Sequence, residues 1–311
     1  MDLYEQLTNI HAKVKPAKRR NAPIEMDGTT WLRYSISVWD DIKRLPEERE
    51  FSHPAMFPTD LVERIVTLFA RNKGDLVLDP FAGSGSTLVG ATRLARRAIG
   101  MEISKKFVSI CEQRLGQSGF WHNSKDKLWE IINDDARNML KHIKPESVDL
   151  CITSPPYWDI LTQKRTADYK TVRHYGNLEA DLGTISDYNA FLKELDVVFR
   201  QVYDVLKPNK YCVVVVMDLR KKDKFYPFHS DLARHMEAIG FELDDMIIWN
   251  RAHEYNNLRP LGYPHVFRVN KVHEFILIFQ KRGRVPRVGG NSGLARPSRS
   301  LIPIGCYAAS R

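Results

Sequence analysis

Residues 153–158 read TSPPYW and follow the apolar run VDLCI at 148–152. Proline has no N–H for a strand ladder and fixes its own φ, so the strand must end here in a stiff corner. The corner gathers a serine hydroxyl, backbone carbonyls and an aromatic ring. That set suits an aryl amine, whose lone pair is delocalised into its ring. The Pro155 carbonyl can accept one amine hydrogen and Ser154 the other, which draws the nitrogen toward tetrahedral geometry. Tyr157 can stack on the ring, and Pro155 and Pro156 keep the corner from relaxing. The plainer reading is a strand-ending turn with a packed tyrosine.

A second constellation lies upstream. LDPFAGSGST at 78–87 sets Gly83 and Gly85 between a strand and a helix, where the backbone must turn tightly and approach a ligand closely. Glu102 ends the next strand, 17 residues after Gly85, and a carboxylate there can accept from both hydroxyls of a ribose. Asp135 ends a third strand and can accept from an adenine amino group. G-x-G after a strand also serves NAD, or only a tight turn. Here the third glycine of that fingerprint is replaced by Leu88, and no pyrophosphate cradle is evident. The set points to an adenosine ligand without phosphates, such as S-adenosyl-L-methionine (AdoMet).

The elements that must hold these groups alternate. Apolar strands are predicted at 75–81, 97–103, 128–136, 148–152 and 211–219, with helices between them. Thr59 is placed to cap a helix whose Leu61, Ile65 and Leu68 share one face. Strands at 241–250 and 272–281 follow one another with no helix between, joined by the polar and aromatic stretch 251–272. The pattern predicts an α/β fold: a mostly parallel sheet covered by helices on both faces, with an antiparallel edge pair. We read residues 1–30 as a polar, basic arm, 31–282 as one catalytic domain without internal repeats, and 283–311 as a basic, flexible tail.

Composition narrows the class. The chain has 311 residues, 43% of them apolar, which suffices for a sizeable core. No signal peptide or membrane span is evident, and Cys111, Cys151, Cys212 and Cys306 form no C-x-x-C pair. A cytoplasmic protein with small buried thiols is expected. No His/Cys spacing suggests a metal site. The net charge is +9, and seven of the basic residues fall in 281–311, which holds no Asp or Glu. Basic ends of this kind favour polyanions or are simply solvated.

These motifs together resemble the AdoMet-dependent DNA amino-methyltransferases. The matching pieces are HPAMFP at 53–58, VLDPFAGSGST at 77–87, GMEI at 100–103, NDDA at 133–136, TSPPY at 153–157, and the late pattern IIWN…HEFILIFQK. They span roughly 35–282. The serine form of the catalytic tetrapeptide is most like the cytosine-N4 branch, in the order cofactor motif before catalytic motif. The resemblance implies a Rossmann-like methyltransferase sheet. It implies a cofactor site of His53, Phe57, Pro58, Asp79, Pro80, Phe81, Ala82, Gly83, Ser84, Gly85, Thr87, Glu102, Ile103, Asp135 and Ala136. Asp79 would lie at the amino-acid end of the cofactor, Glu102 at the ribose, and Asp135 with Ala136 at the adenine. Ser154, Pro155, Pro156 and Tyr157 would hold a target base flipped out of the helix.

The implied reaction is methylation of cytosine N4 in double-stranded DNA, by in-line transfer and without a general base. Adenine N6 is the alternative, since its N1/N6 edge presents the same acceptor–donor pair as cytosine N3/N4. Cytosine-C5 chemistry needs a Pro-Cys nucleophile, and no cysteine here follows a proline. RNA or protein-glutamine methylation uses related corners. A DNA-binding subunit with an inactive methyltransferase fold is the non-enzyme reading. Candidate DNA contacts are Arg165, Arg173 and Tyr175 in the polar stretch 159–187, and Arg251, Arg259, Arg268 and Lys271 in 251–272. The resemblance admits a restriction endonuclease partner, and nothing in the sequence sets the oligomeric state.

Overall fold

A computed structural model describes residues 26–44, 48, 58–117, 128–159, 181–254, 258 and 260–283. The chain opens with helix α1 (Gly28–Tyr34), capped by the Asp27 carboxylate, and the short strand β1 (Val38–Trp39). Then follow α2 (Thr59–Phe69), β2 (Leu76–Asp79), α3 (Ser86–Arg93), β3 (Arg97–Met101), α4 (Lys105–Gln117) and β4 (Trp129–Ile132). A 3-10 helix at Ala136–Lys141 leads to β5 (Val148–Thr153). The second half holds α5 (Tyr188–Val205), β6 (Leu206–Val216), the hairpin β7 (Leu219–Lys221) and β8 (Lys224–Tyr226), α6 (Phe228–Ile239), β9 (Glu242–Asn250) and β10 (His273–Gln280).

Eight strands form one sheet in the order β1-β9-β10-β6-β5-β2-β3-β4. β4, β3, β2, β5 and β6 are parallel. β10 runs antiparallel to β6 on one side and to β9 on the other, so it is an inner strand. The antiparallel pair predicted from the sequence is present, and β1 pairs parallel with the outer side of β9. This order returns the carboxyl end of β9 and the start of β10 to the edge where β2, β3, β5 and β6 end. In open α/β sheets that edge is where ligands bind.

Burial explains the apolar strands. All six residues of β5 are buried, and beyond a register shift between Val148 and Leu150 the side chains alternate between two cores. Val148 and Cys151 join α5 and α6 on one face; Leu150 and Ile152 join α2, α3 and α4 on the other. Trp39 and Trp249 are buried in the second core. α2 starts at Thr59, which is its first helical residue and not its cap. The Glu48 carboxylate takes over that task, accepting from the Thr59 N–H at 2.7 Å and from the Thr59 hydroxyl. The Lys-rich hairpin β7–β8 was not predicted, because it lacks the apolar alternation that marks a half-buried strand.

One glycine fixes how closely the turn before α3 approaches α4. Gly85 has φ +84°, and a Cβ there would lie 2.3 Å from Cys111 Sγ. Gly85→Ala should therefore destabilise the fold by about 2 kcal/mol or more, through left-handed strain and overpacking. Chemical denaturation measures this, and adding Cys111→Ala should recover part of the loss.

Candidate active site

The site is built where the parallel strands end. Asp79, the last residue of β2, is almost fully buried. Its carboxylate accepts from Thr87 Oγ1 at 2.6 Å, Thr153 Oγ1 at 2.7 Å and the Phe81 N–H at 3.0 Å. One group thus joins β2, the glycine turn, α3 and β5. Burial pushes the Asp79 carboxyl up to about 6, against the downward pull of those three hydrogen bonds.

Glu102 follows β3. One of its oxygens accepts from the Gly83 N–H at 2.9 Å and the other from the Ser104 N–H at 2.8 Å. Burial pushes its carboxyl up to about 7; the two backbone donors oppose this, and the negative charges of Asp79 and Asp181 add to it. Neither Asp79 nor Glu102 has a basic side chain as partner among the described residues. Two buried carboxylates without a counter-ion are costly when ionised, and a cationic ligand would relieve them.

The remaining cofactor candidates sit around this pair. Pro80 and Ala82 are buried and Phe81 is half-buried against the first core. The Ser84 carbonyl and hydroxyl accept from buried Arg114, which steadies the glycine turn from α4. Asn133 donates to the carbonyls of Glu102 and Ile103, locking the end of β4 to the segment that follows β3. Pro58 is the residue before α2, and Ala136 is buried at the start of the 3-10 helix. His53 and Phe57 lie outside the described residues.

Asp135 differs from the sequence reading. It caps the 3-10 helix through the Arg137 N–H, and both of its oxygens accept from the Arg137 guanidinium. Arg137 also pairs with Glu194 at 2.5 Å. The carboxylate is therefore tied through Arg137 to α5. Beside it opens a cavity of about 380 Å³, lined by Arg137, Asp181, Leu182, Ile185 and Glu194 among others.

The proline corner leaves β5 directly after Thr153, so the Asp79–Thr153 hydrogen bond joins it to the cofactor turn. Ser154 and Tyr157 are partly exposed, and among the described residues no backbone N–H donates to the Pro155 carbonyl. Ser154 Oγ donates to the Tyr157 hydroxyl at 3.3 Å, which donates to Glu274 Oε2 at 2.9 Å. Burial, reinforced by Glu274, holds the Tyr157 phenol well above its usual range, so it stays protonated. Trp158 closes the corner. It has φ +51°, a left-handed conformation uncommon for a bulky residue. Its ring packs edge-on against Tyr188 and Tyr226, with Lys221 Nζ 3.8 Å from its centre. Lys221 also pairs with Asp159, which ties the corner to the β7–β8 hairpin.

Among the candidate DNA contacts, Arg251 turns inward. Its guanidinium donates to Glu274 and Glu254 and lies over the Trp249 ring. A buried carboxylate at Glu274 requires such a partner, so this arginine is structural. Lys271 donates to the Asp218 carbonyl at 2.9 Å, and burial lowers its pKa. Arg268 pairs loosely with the exposed Asp223 at 3.5 Å. Arg165, Arg173, Tyr175 and Arg259 lie outside the described residues. Glu274, Thr153, Asp181 and Trp158 are site residues that the sequence reading missed. A single carboxylate interrupting the apolar strand HEFILIF was the available signal for Glu274.

Comparison with known proteins gives the family. The N6_N4_Mtase family, described as DNA methylase, matches residues 5–113 and 148–294. The DNA adenine methyltransferase YhdJ of Escherichia coli is 35% identical over 115 residues, covering 36% of this chain and 38% of that protein. A tRNA (guanine(10)-N2)-dimethyltransferase of Methanocaldococcus jannaschii is 29% identical over 206 residues, covering 63% and 49%. The chain thus spans less than half the length of these two relatives. A Thermus thermophilus structure described as a DNA modification methylase complexed with S-adenosyl-L-methionine is 29% identical, with coverage of 53% and 54% and a TM-score of 0.33. The match of the family over most of the sequence, including both the glycine turn and the proline corner, means that this chain belongs to the N6/N4 DNA methylase family.

Proposed function

We propose that the chain transfers a methyl group from AdoMet to the exocyclic amine of a base in DNA, with cytosine N4 as the preferred target. The observation that carries this reading is the Asp79–Thr153 hydrogen bond. It sets the proline corner one residue away from the buried carboxylate of Asp79, which has no basic side chain as partner among the described residues.

AdoMet supplies a methyl group already activated by its sulfonium charge. The chain's own residues have simpler tasks. Asp79 and Glu102 offer negative charge to a cationic ligand, and Glu102 would accept from the ribose hydroxyls. Ser154 and the Pro155 carbonyl accept the two hydrogens of the target amine, orienting its lone pair. Tyr157 stacks on the extruded base, and the buried Trp158 stiffens the support beneath it. No protein base is required, because the methylated nitrogen sheds its proton readily.

DNA as the substrate is supported by the family match and by the catalytic edge itself. Segment 260–270 on that edge exposes Tyr263, Phe267 and Val269 beside Arg268, with the basic hairpin β7–β8 close by through the Arg268–Asp223 pair. Apolar and basic side chains so mixed suit a nucleic-acid surface. Ser154 favours cytosine as the target. The similarity to an adenine methyltransferase favours the second reading, adenine N6. A restriction endonuclease in the same system would be consistent with either.

Incubating DNA with the protein and AdoMet, then digesting to nucleosides, identifies the product by mass spectrometry. N4-methylcytosine is expected; N6-methyladenine alone would overturn the cytosine assignment, and no methylated base would overturn the DNA enzyme. Tyr157→Ala should lose most transfer, at least tenfold, while retaining AdoMet binding. Turnover near wild type would remove the stacking role.

The carboxylates also predict a pH dependence. Their pKa values are raised in the fold, so the ligand-free protein binds these protons more tightly than the unfolded chain does. Their ionisation therefore lowers ligand-free stability as pH rises from about 4 to about 7. A cationic ligand prefers the ionised forms, so AdoMet affinity should rise between pH 5 and pH 8. The slope should approach tenfold per pH unit for each proton released. Titration calorimetry across this range measures it, and a flat profile would contradict the role of these groups.

A further inference from the structure

The hydrogen bonds behind Ser154 run in one direction. At their far end the Arg251 guanidinium, which can only donate, holds one oxygen of Glu274. The other oxygen of that carboxylate accepts from the Tyr157 hydroxyl at 2.9 Å. A phenol has one hydrogen, so the Tyr157 oxygen has only lone pairs left for Ser154. Ser154 Oγ donates its own hydrogen there, at 3.3 Å. What Ser154 presents to the open side is then lone pairs alone. Glu274 is buried and reaches this chain of groups from β10, a strand far from the corner in sequence.

We propose that Glu274 is a positioning residue that sets the hydrogen-bond polarity of Ser154, so that the site accepts an amine and refuses a carbonyl at the same place on the base. The inference rests on the reading that Ser154 faces the target amine. It goes further in naming what enforces the choice. A serine free to rotate could donate to a carbonyl as readily as it accepts from an amine, and would leave the choice between cytosine and uracil, or adenine and hypoxanthine, to the Pro155 carbonyl alone. With its hydrogen fixed on Tyr157, a carbonyl would meet Ser154 lone pair to lone pair. An unpaired contact of this kind in a desolvated site lowers binding by about 10- to 100-fold.

The substitution Glu274→Gln tests this sharply. Arg251 would still only donate, so it would hold the amide oxygen and turn the amide NH2 toward Tyr157. The phenol would then donate to Ser154, and the serine hydrogen would be released toward the base. Tyr157→Phe releases the same hydrogen without disturbing the ion pair, and keeps the ring for stacking.

The experiment first identifies a duplex that wild type methylates. It then measures competitive binding of that duplex and of a copy carrying a carbonyl in place of the target amine. Both are measured with S-adenosylhomocysteine present, for wild type, Glu274→Gln, Tyr157→Phe and the double variant. AdoMet binding and melting temperature verify that each variant is folded. The expected result is a wild-type preference for the amine of at least tenfold. That preference should fall about tenfold in either single variant and no further in the double variant. If both duplexes weaken equally and the ratio is unchanged, Glu274 is merely structural and the proposal fails. If Glu274→Gln does not fold, the ratio in Tyr157→Phe decides. Absence of any methylated duplex for wild type would overturn the functional reading itself, which is a different outcome.

Discussion

The buried carboxylate of Asp79 is the constraint on which the rest of the site depends. It sits in a place where ionisation is unfavourable, yet three donors from separate parts of the chain converge on it. Thr87 brings the start of α3, the Phe81 N–H brings the glycine turn, and Thr153 brings the end of β5. Each donor lowers the cost of the charge, and none removes it. The group therefore holds the two halves of the site in register while remaining short of positive charge. A scaffold that satisfied Asp79 with an arginine would be more stable, and it would have no electrostatic reason to bind a cation.

A different solution operates on the far side of the corner. Glu274 is also a buried carboxylate, but it has Arg251 against it and a phenol donating to it. It is fully satisfied and so is suited to holding other groups in place, not to binding a charged ligand. The contrast is between a buried carboxylate held by neutral donors, Asp79, and one held by an arginine, Glu274. It also explains why Arg251 turns away from solvent despite lying in a segment rich in basic and aromatic residues.

The sheet and the turns that end its strands were legible because continuous apolar runs and glycine turns have local causes. VDLCI buries on both faces, and Gly85 must bring its backbone against Cys111; each leaves a mark in sequence. The TSPPYW corner was legible for the same reason, since consecutive prolines can end a strand but not continue it. What was not legible depends on partners distant in the chain. Nothing local shows that Arg137 occupies both oxygens of Asp135, or that Glu48 caps α2 in place of Thr59. The β7–β8 hairpin has a polar, lysine-rich sequence, and its contact with Trp158 and Asp159 exists only in the folded chain. Arg251 read as a candidate DNA contact because basic and aromatic residues interleave around it in sequence; its neighbours in space are Glu274 and Trp249.

The claim that one buried carboxylate couples the cofactor half to the target half is tested most directly by a double-mutant cycle between Asp79→Asn and Thr153→Val. Two quantities are read in every variant: AdoMet affinity and the single-turnover rate of methyl transfer to DNA. Coupling predicts non-additive effects on both, with an interaction energy on the order of 1–2 kcal/mol. Additive effects, or a coupling confined to AdoMet affinity with transfer unaffected, would contradict it.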